Sequence, residues 1–393
     1  MFKDVTLASK FGLGSDLDVY FYIFNISVLF SGVWLSILTV VILPFLAKEN
    51  NSEKFQALVN NLRKINHYIS AISALCFFIY LLYFDNFIGK VGDKWVYVFL
   101  GVSIIYFGFQ AAFYSSVLMA KGNNSNSLLE SLPSLLTLFF ILMFYSAKSV
   151  IAGTVFGFFL YYVATYLISR RYFYRVTQSG YKFEINNELK QIVKGVGLLL
   201  LGQVILSFTS LIDQLYLSSI SQGSLTLFNY ANKILLILTG ISSIVMARAF
   251  IPFFSINKKY SKSKVLLFSF LLLVLSLSVV YYLSDFSSSF IGLIYGYGKF
   301  DSAAISGVSD VLSIILYQAP FFVSSLILLS YFSSKNFYYP FLYTGILGFI
   351  TKVIYLTLCK DQMSVLVLAY STVIMYSINF FVLVFSLYFF KEK

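Results

Sequence analysis

The 393 residues are 59% hydrophobic and only 11% charged, with a mean hydropathy of +0.84, less than half the charged fraction of a soluble domain. That excludes an ordinary water-soluble protein. The net charge of +12, from 28 Lys+Arg against 16 Asp+Glu, reads as the basic loops of a membrane protein before it reads as a nucleic-acid footprint, because cytoplasmic loops collect Lys and Arg.

In chain order, Met1 to Gly14 has no long apolar core and no small-residue cleavage site, so it is no signal peptide, and it is too short to span a membrane. Apolar runs between polar breaks then predict eleven spans, at about 19–46, 66–84, 95–119, 128–146, 149–169, 195–219, 226–254, 264–284, 304–332, 338–358 and 364–390. Runs of about 20 residues cross a ~30 Å hydrocarbon core as helix and lack the alternation of barrel strands. The fold class is an all-α polytopic membrane protein. Cys76 and Cys359 lie too far apart in sequence for a disulfide framework, and His67, beside Asn66 at a loop-to-helix border, reads as an interfacial residue. No metal and no cofactor are expected.

Lys and Arg fall unevenly in the gaps. Those after the odd-numbered spans, with the C-terminus, hold Lys48, Lys54, Arg63, Lys64, Lys121, Arg170, Arg171, Arg175, Lys182, Lys190, Lys194, Lys258, Lys259, Lys262, Lys264, Lys335, Lys391 and Lys393. The other side holds only Lys10, Lys90, Lys94, Lys148, Lys299 and Lys360. The basic set of this multi-pass chain is therefore placed in the cytoplasm. The longest break is a basic cytoplasmic linker, 170–194, between an N-terminal helical lobe, 1–169, and a C-terminal one, 195–393. Such a linker is suited to anionic headgroups. No gap on the outer side has room for a catalytic domain, so the chain is not expected to be an enzyme.

Two stretches repeat. Gly14-Ser15-Asp16-Leu17-Asp18-Val19-Tyr20-Phe21 leads to Leu43-Pro44-Phe45, and Gly223-Ser224-Leu225-Thr226-Leu227-Phe228-Asn229-Tyr230 leads to Ile251-Pro252-Phe253, with glycine-to-proline separations of 30 and 29 residues. Each is a Gly-Ser turn, a long inward helix and a proline at its inner end. Matched lobes of this kind are frequent in secondary transporters. Matching them leaves only Met1 to Lys10 for the first helix of the N-terminal lobe, so that helix is expected to be truncated or the start codon set too late.

Ionisable groups at hydrocarbon depth are costly and mark functional candidates. Asp213 and Lys233 both lie ~8–12 Å from the outer ends of their helices and could pair, and Asp310 and Lys352 form a second expected intramembrane ion pair. Asn229 lies one turn from Lys233, and aligning the lobes on Pro44 and Pro252 sets Asn25 opposite Lys233. Lys233, Asn229, Asn25 and Asp213 are the candidate substrate-binding residues. Arg248 falls near the cytoplasmic mouth, as a headgroup snorkel or a substrate-gathering cation. Asp16 and Asp18 are expected to cap the helix that starts at the outer turn. The 44 Phe and 31 Tyr are mostly membrane packing, with Tyr20, Phe24 and Trp34 as candidates for stacking on sugar rings.

The stretch Gly223 to Ile234 with Pro252 resembles the eighth-helix signature of the MurJ/MviN lipid II flippases. Lys10-Phe11-Gly12-Leu13-Gly14 through Asp18-Val19-Tyr20-Phe21 resembles that family's first turn, and Tyr297-Gly298-Lys299-Phe300-Asp301 its segment after the ninth helix. The family belongs to an exporter superfamily that includes O-antigen and capsule repeat-unit flippases and the MATE antiporters. The resemblance implies two six-helix lobes around a central cavity, alternately open to either side. It also implies a partner, an undecaprenyl-pyrophosphate-linked oligosaccharide moved to the periplasmic leaflet, with membrane lipids around it and a polysaccharide polymerase downstream. Departures shift the expected cargo. Where lipid II flippases carry an arginine and a glutamate in the second helix, Phe30-Ser31-Gly32-Val33-Trp34-Leu35-Ser36 has no charge, and Lys233 stands for an arginine of the eighth helix. Two further C-terminal helices of the family are absent. The first expectation is thus a surface-polysaccharide repeat unit, with lipid II the alternative. A polymerase or ligase would need acids and arginines on a large outer loop, and a MATE-like antiporter would need a mid-membrane acid in the N-terminal lobe after Asp18; neither is present.

Overall fold

The computed structural model describes residues 2–48, 52–83, 87, 93–123, 125–144, 146–172, 187–256, 261–335 and 337–389. In chain order these form α1 (Phe2–Phe11), α2 (Ser15–Ile37), α3 (Leu43–Lys48), α4 (Ser52–Tyr83), α5 (Lys94–Ala120), α6 (Asn126–Leu129), α7 (Leu132–Met143) and α8 (Ala147–Ser169), then α9 (Asn187–Leu217), α10 (Ser224–Ile256), α11 (Lys262–Asp285), α12 (Ser287–Tyr295), α13 (Ser302–Ile315), α14 (Gln318–Ser334), α15 (Tyr339–Leu358) and α16 (Val365–Phe389). No strand occurs among the described residues. Among the described residues eleven stretches are long and apolar enough to cross a membrane, in the order the hydropathy runs predict. The chain divides into two compact units, 2–193 and 194–393. Most of the basic stretch 170–194, residues 173–186, lies outside the described residues.

In the first unit α5 is the central helix, with 72% of its apolar window buried, and it packs against α2, α4 and α8. Its C-terminal half meets α3, α4 and the turn that follows α2 in a cluster of Leu38, Leu46, Phe55, Val59, Ala112, Phe113 and Val117. Helices α7 and α8 lie almost backbone to backbone, since a Cβ on Gly153 would come within 2.9 Å of the Thr137 Cα. The short α1 packs on α7, and Lys10 Nζ donates to the Ile141 carbonyl at 2.8 Å. Ahead of Pro44 the chain widens into a π-helical turn, Leu38–Ile42, because a proline removes one N–H of the helical ladder and crowds the preceding turn.

In the second unit the most buried windows are that of α10 and the one in the span formed by α13 and α14, 56% each. Phe254, Val265, Leu273, Leu328, Tyr331, Phe332, Phe380 and Leu383 form its core. The predicted span 304–332 is two helices, broken at Leu316 and Tyr317, because Pro320 has no N–H to give the Leu316 carbonyl. Helix α11 has the highest mean hydropathy, 2.4, and a window only 22% buried. Its exposed Leu267, Leu271, Val274 and Leu275 form the side suited to lipid.

The repeated glycine-serine turns start helices in both units, at Ser15 and Ser224. The Asp18 amide donates to the Gly14 carbonyl at 3.1 Å and the Leu227 amide to the Gly223 carbonyl at 2.9 Å. Gly223 adopts φ +89°, whereas in the first unit the left-handed residue is Gly12, at φ +62°; only glycine takes such angles without strain.

The second predicted span differs most. Helix α4 begins at Ser52, fourteen residues before the predicted start at 66, so Arg63, Lys64 and His67 stand on a continuous helix and not at a loop border.

Candidate functional site

Among the described residues of the second unit, the most deeply buried charges meet at one point. Lys352 of α15 donates from Nζ to Asp213 Oδ2 of α9 at 2.7 Å and to Thr372 Oγ1 of α16 at 3.0 Å. The lysine side chain is 1% exposed and the aspartate 9%. Three helices are thereby tied together. Close approach of α9 and α15 is set by glycine: a Cβ on Gly202 would run into the Phe341 carbonyl oxygen, and one on Gly345 into the Gly202 carbonyl. One turn below Lys352, a Cβ on Gly348 would lie 2.8 Å from Asn379 Oδ1, so glycine makes room for that amide. Asp213 Oδ1 and Asn379 Oδ1 are buried and accept no hydrogen bond among the described residues.

This corrects both expected pairings. Asp213 pairs with Lys352 and not with Lys233. The expected Asp310–Lys352 pair is replaced by Asp213–Lys352, and Asp310 stands exposed on α13. The helices that meet, α9 and α15, are not the ones expected to pair.

Lys233 is half-buried on α10, one turn beyond the buried Asn229, whose Nδ2 donates to the Leu225 carbonyl of its own helix at 2.7 Å. In the first unit Asn25 is half-buried on α2. The Arg248 side chain lies outside the described residues. Asp16 and Asp18 occupy the first turn of α2, with Asp16 exposed and Asp18 buried, but the N-cap residue is Gly14, so the acids favour the helix dipole without occupying the cap position.

The aromatic candidates serve the interior of the first unit. Tyr20 stacks on Phe24 with centroids 5.5 Å apart and shares a 3.0 Å hydrogen bond with Thr154. Trp34 stacks on Phe109 at 5.4 Å, and its Nε1 donates to Asn66 Oδ1 at 2.9 Å. Asn66 Nδ2 in turn donates to Gln110 Oε1 at 3.3 Å, and Gln110 Nε2 to Ser70 Oγ at 3.1 Å. This amide ladder joins α2, α4 and α5 without any charge.

Two polar features escaped the sequence reading. Lys3 and Asp4 on α1 are buried, with Lys3 Nζ 3.9 Å from Asp4 Oδ1 and 4.6 Å from the Phe24 ring centroid. The signal was a Lys-Asp pair inside a segment dismissed for its length. The other is a cleft of about 300 Å³ between α4, α5 and α8, lined by Arg63, Lys64, His67, Tyr68, Gln110, Tyr114, Tyr162 and Tyr166. No group of three or more His, Cys, Asp or Glu suited to a metal occurs among the described residues.

Comparison with known proteins extends over nearly the whole chain. A family model described as lipid II flippase MurJ matches residues 7–389. A probable lipid II flippase MurJ of Aquifex aeolicus (strain VF5) is 25% identical over 361 residues, covering 86% of this chain and 70% of that protein. A solved lipid II flippase MurJ in an inward closed conformation superposes with a TM-score of 0.79 at 18% identity, over 99% of this chain and 85% of the other. An inward-facing multidrug resistance MATE family transporter of the MOP superfamily gives 0.72 at 14% identity, over 98% and 92%. At those identities the two structures establish the fold, and the match from residue 7 to residue 389 establishes the family, one of transporters rather than enzymes. The chain belongs to the lipid II flippase MurJ family of membrane proteins.

Proposed function

We propose that this chain moves lipid II, an undecaprenyl-pyrophosphate-linked peptidoglycan precursor, from the cytoplasmic to the outer leaflet of a bacterial inner membrane by alternating access. The observation that carries this reading is the family match running from residue 7 to residue 389; the relative from Aquifex aeolicus, itself described as a probable lipid II flippase, supports it. Lys233 is the residue we assign to the pyrophosphate, with Asn229 and Asn25 as polar companions. Its ammonium is a compact point charge that can meet a phosphate oxygen without the bidentate fork of an arginine. Asp213 leaves the substrate-binding set, since its carboxylate is engaged by Lys352. The basic loops face the cytoplasm in this reading, on the strength of the Lys and Arg bias.

A second reading, export of a surface-polysaccharide repeat unit ahead of a polymerase, has one observation in its favour: the uncharged stretch from Phe30 to Ser36 together with lysine at 233. Replacing the resident flippase of a cell depleted of its own distinguishes the two. Restored growth and lipid II exposed at the outer leaflet are expected, with loss in Lys233→Ala and retention in Lys233→Arg. A chain present in the membrane that restores repeat-unit display but not lipid II exposure would overturn the first reading.

A further inference from the structure

The cleft between α4, α5 and α8 is built differently from the rest of the first unit. Arg63, Lys64 and His67 converge on it from two successive turns of α4. Hydroxyl-bearing rings of Tyr114, Tyr162 and Tyr166 form the facing wall, with Tyr114 and Tyr166 edge to face at 5.3 Å. The described lining residues include no acid. Cations and phenol donors without a carboxylate are the chemistry that receives a phosphate.

The wall is held in place from behind. Asn66, buried between Arg63 and His67 on α4, accepts from Trp34 and donates to Gln110. Tyr106 and His67 Nδ1 share a 3.2 Å hydrogen bond at the rim. The rotation of α4 is thus set by neutral hydrogen bonds, and Arg63 and Lys64 line the cleft.

Depth and surroundings identify the occupant. Tyr114 lies ~10 Å from the end of α5, and Tyr162 and Tyr166 about 10 and 5 Å from the end of α8, at 1.5 Å per residue. Those ends lead to Lys121 and to Arg170 and Arg171, so the cleft sits at headgroup depth on the basic side. Farther along α4, Ile72, Leu75 and Ile79 are exposed, a surface suited to acyl chains. Basic pockets between helices on the cytoplasmic side are the usual seats of anionic lipid headgroups. A volume of about 300 Å³, at the small end of ligand pockets, suits a phosphodiester with a small alcohol and not a saccharide-bearing head.

We propose that Arg63, Lys64 and the tyrosines of this cleft bind the phosphodiester of an anionic phospholipid of the cytoplasmic leaflet, such as phosphatidylglycerol, at a site separate from Lys233. The test is retention of phosphatidylglycerol and of phosphatidylcholine by the purified full chain, followed by native mass spectrometry. The wild type is compared with Arg63→Gln/Lys64→Gln and with Tyr162→Phe, and Lys335→Gln in the other unit serves as control. A fall of at least tenfold in phosphatidylglycerol affinity is expected in the double variant and a smaller fall in Tyr162→Phe. Weak phosphatidylcholine binding throughout and an unchanged control complete the expected result. Tyr162→Phe keeps both cations and so remains informative if the double variant fails to fold. Equal phosphatidylglycerol binding in wild type and variants overturns the proposal. So does displacement by millimolar inorganic phosphate, which would make it a free-anion site, or by undecaprenyl pyrophosphate in preference to phosphatidylglycerol, which would make it a docking site for the cargo.

Discussion

Among the described residues each unit holds one ion pair shorter than 3 Å, and the two differ in everything except length. Lys352 and Asp213 in the second unit are 2.7 Å apart with side chains 1% and 9% exposed; Lys148 and Asp93 in the first are 2.8 Å apart with side chains 67% and 53% exposed. Distance alone therefore says nothing about worth. The exposed pair is screened by water and by salt over ~8 Å at physiological ionic strength, whereas the sealed pair sits where each partner without the other would be an uncompensated charge. The interiors differ accordingly. The second unit joins α9, α15 and α16 through a charge, and the first joins α2, α4 and α5 through the neutral ladder of Trp34, Asn66, Gln110 and Ser70.

The largest effect is expected from Lys352→Met, which strands a buried carboxylate and costs ~3–5 kcal/mol, read as a loss of thermal stability in lipid or detergent. Adding Asp213→Leu to that variant should recover most of the loss, because replacing both partners of a buried pair with apolar side chains is often neutral. A double variant no more stable than Lys352→Met would break the comparison. A stable double variant that no longer transports would sharpen it, by giving the pair a part in the transport cycle. Next comes Gln110→Leu, which leaves Asn66 Nδ2 and Ser70 Oγ without the amide they face and should cost about 1–3 kcal/mol. That loss should be insensitive to salt.

Lys121→Ala comes third. Its ammonium lies 3.7 Å from the Phe55 ring centroid at an exposed site, where such contacts are worth about 0.5–1 kcal/mol. Smallest is Lys148→Gln, for which melting temperatures indistinguishable from wild type at low and high salt are expected; a drop comparable to that of Lys352→Met would contradict the reading of its partner pair as surface decoration.

The number and order of spans were legible from hydropathy alone, because ~20 apolar residues in a row have few other uses. So was the repeat that starts helices at Ser15 and Ser224, since glycine, serine and a distant proline act through local backbone geometry. Asp213 and Lys352 were both singled out as costly charges, yet each was matched to a neighbour in sequence order. Their true pairing spans 139 residues and depends on which helices touch, which hydropathy does not encode. The first half of α4 was read as a loop because Asn60, Asn61, Arg63, Lys64 and Asn66 depress its hydropathy. Helical spacing of Phe55, Leu58, Val59 and Leu62, all packed in the core cluster, carried the opposite signal. Lys3 and Asp4 were passed over on length, although a short helix needs only one packed face, which α1 has against α7.

The central claim, that this member of the lipid II flippase MurJ family carries lipid II, is tested most directly in proteoliposomes holding the purified chain. Labelled lipid II is set beside an undecaprenyl-pyrophosphate-linked polysaccharide repeat unit, and the arrival of each in the opposite leaflet is timed. Rapid transfer of lipid II, abolished by Lys233→Ala, with the repeat unit left behind is the result expected. Transfer of the repeat unit with lipid II unmoved would contradict it.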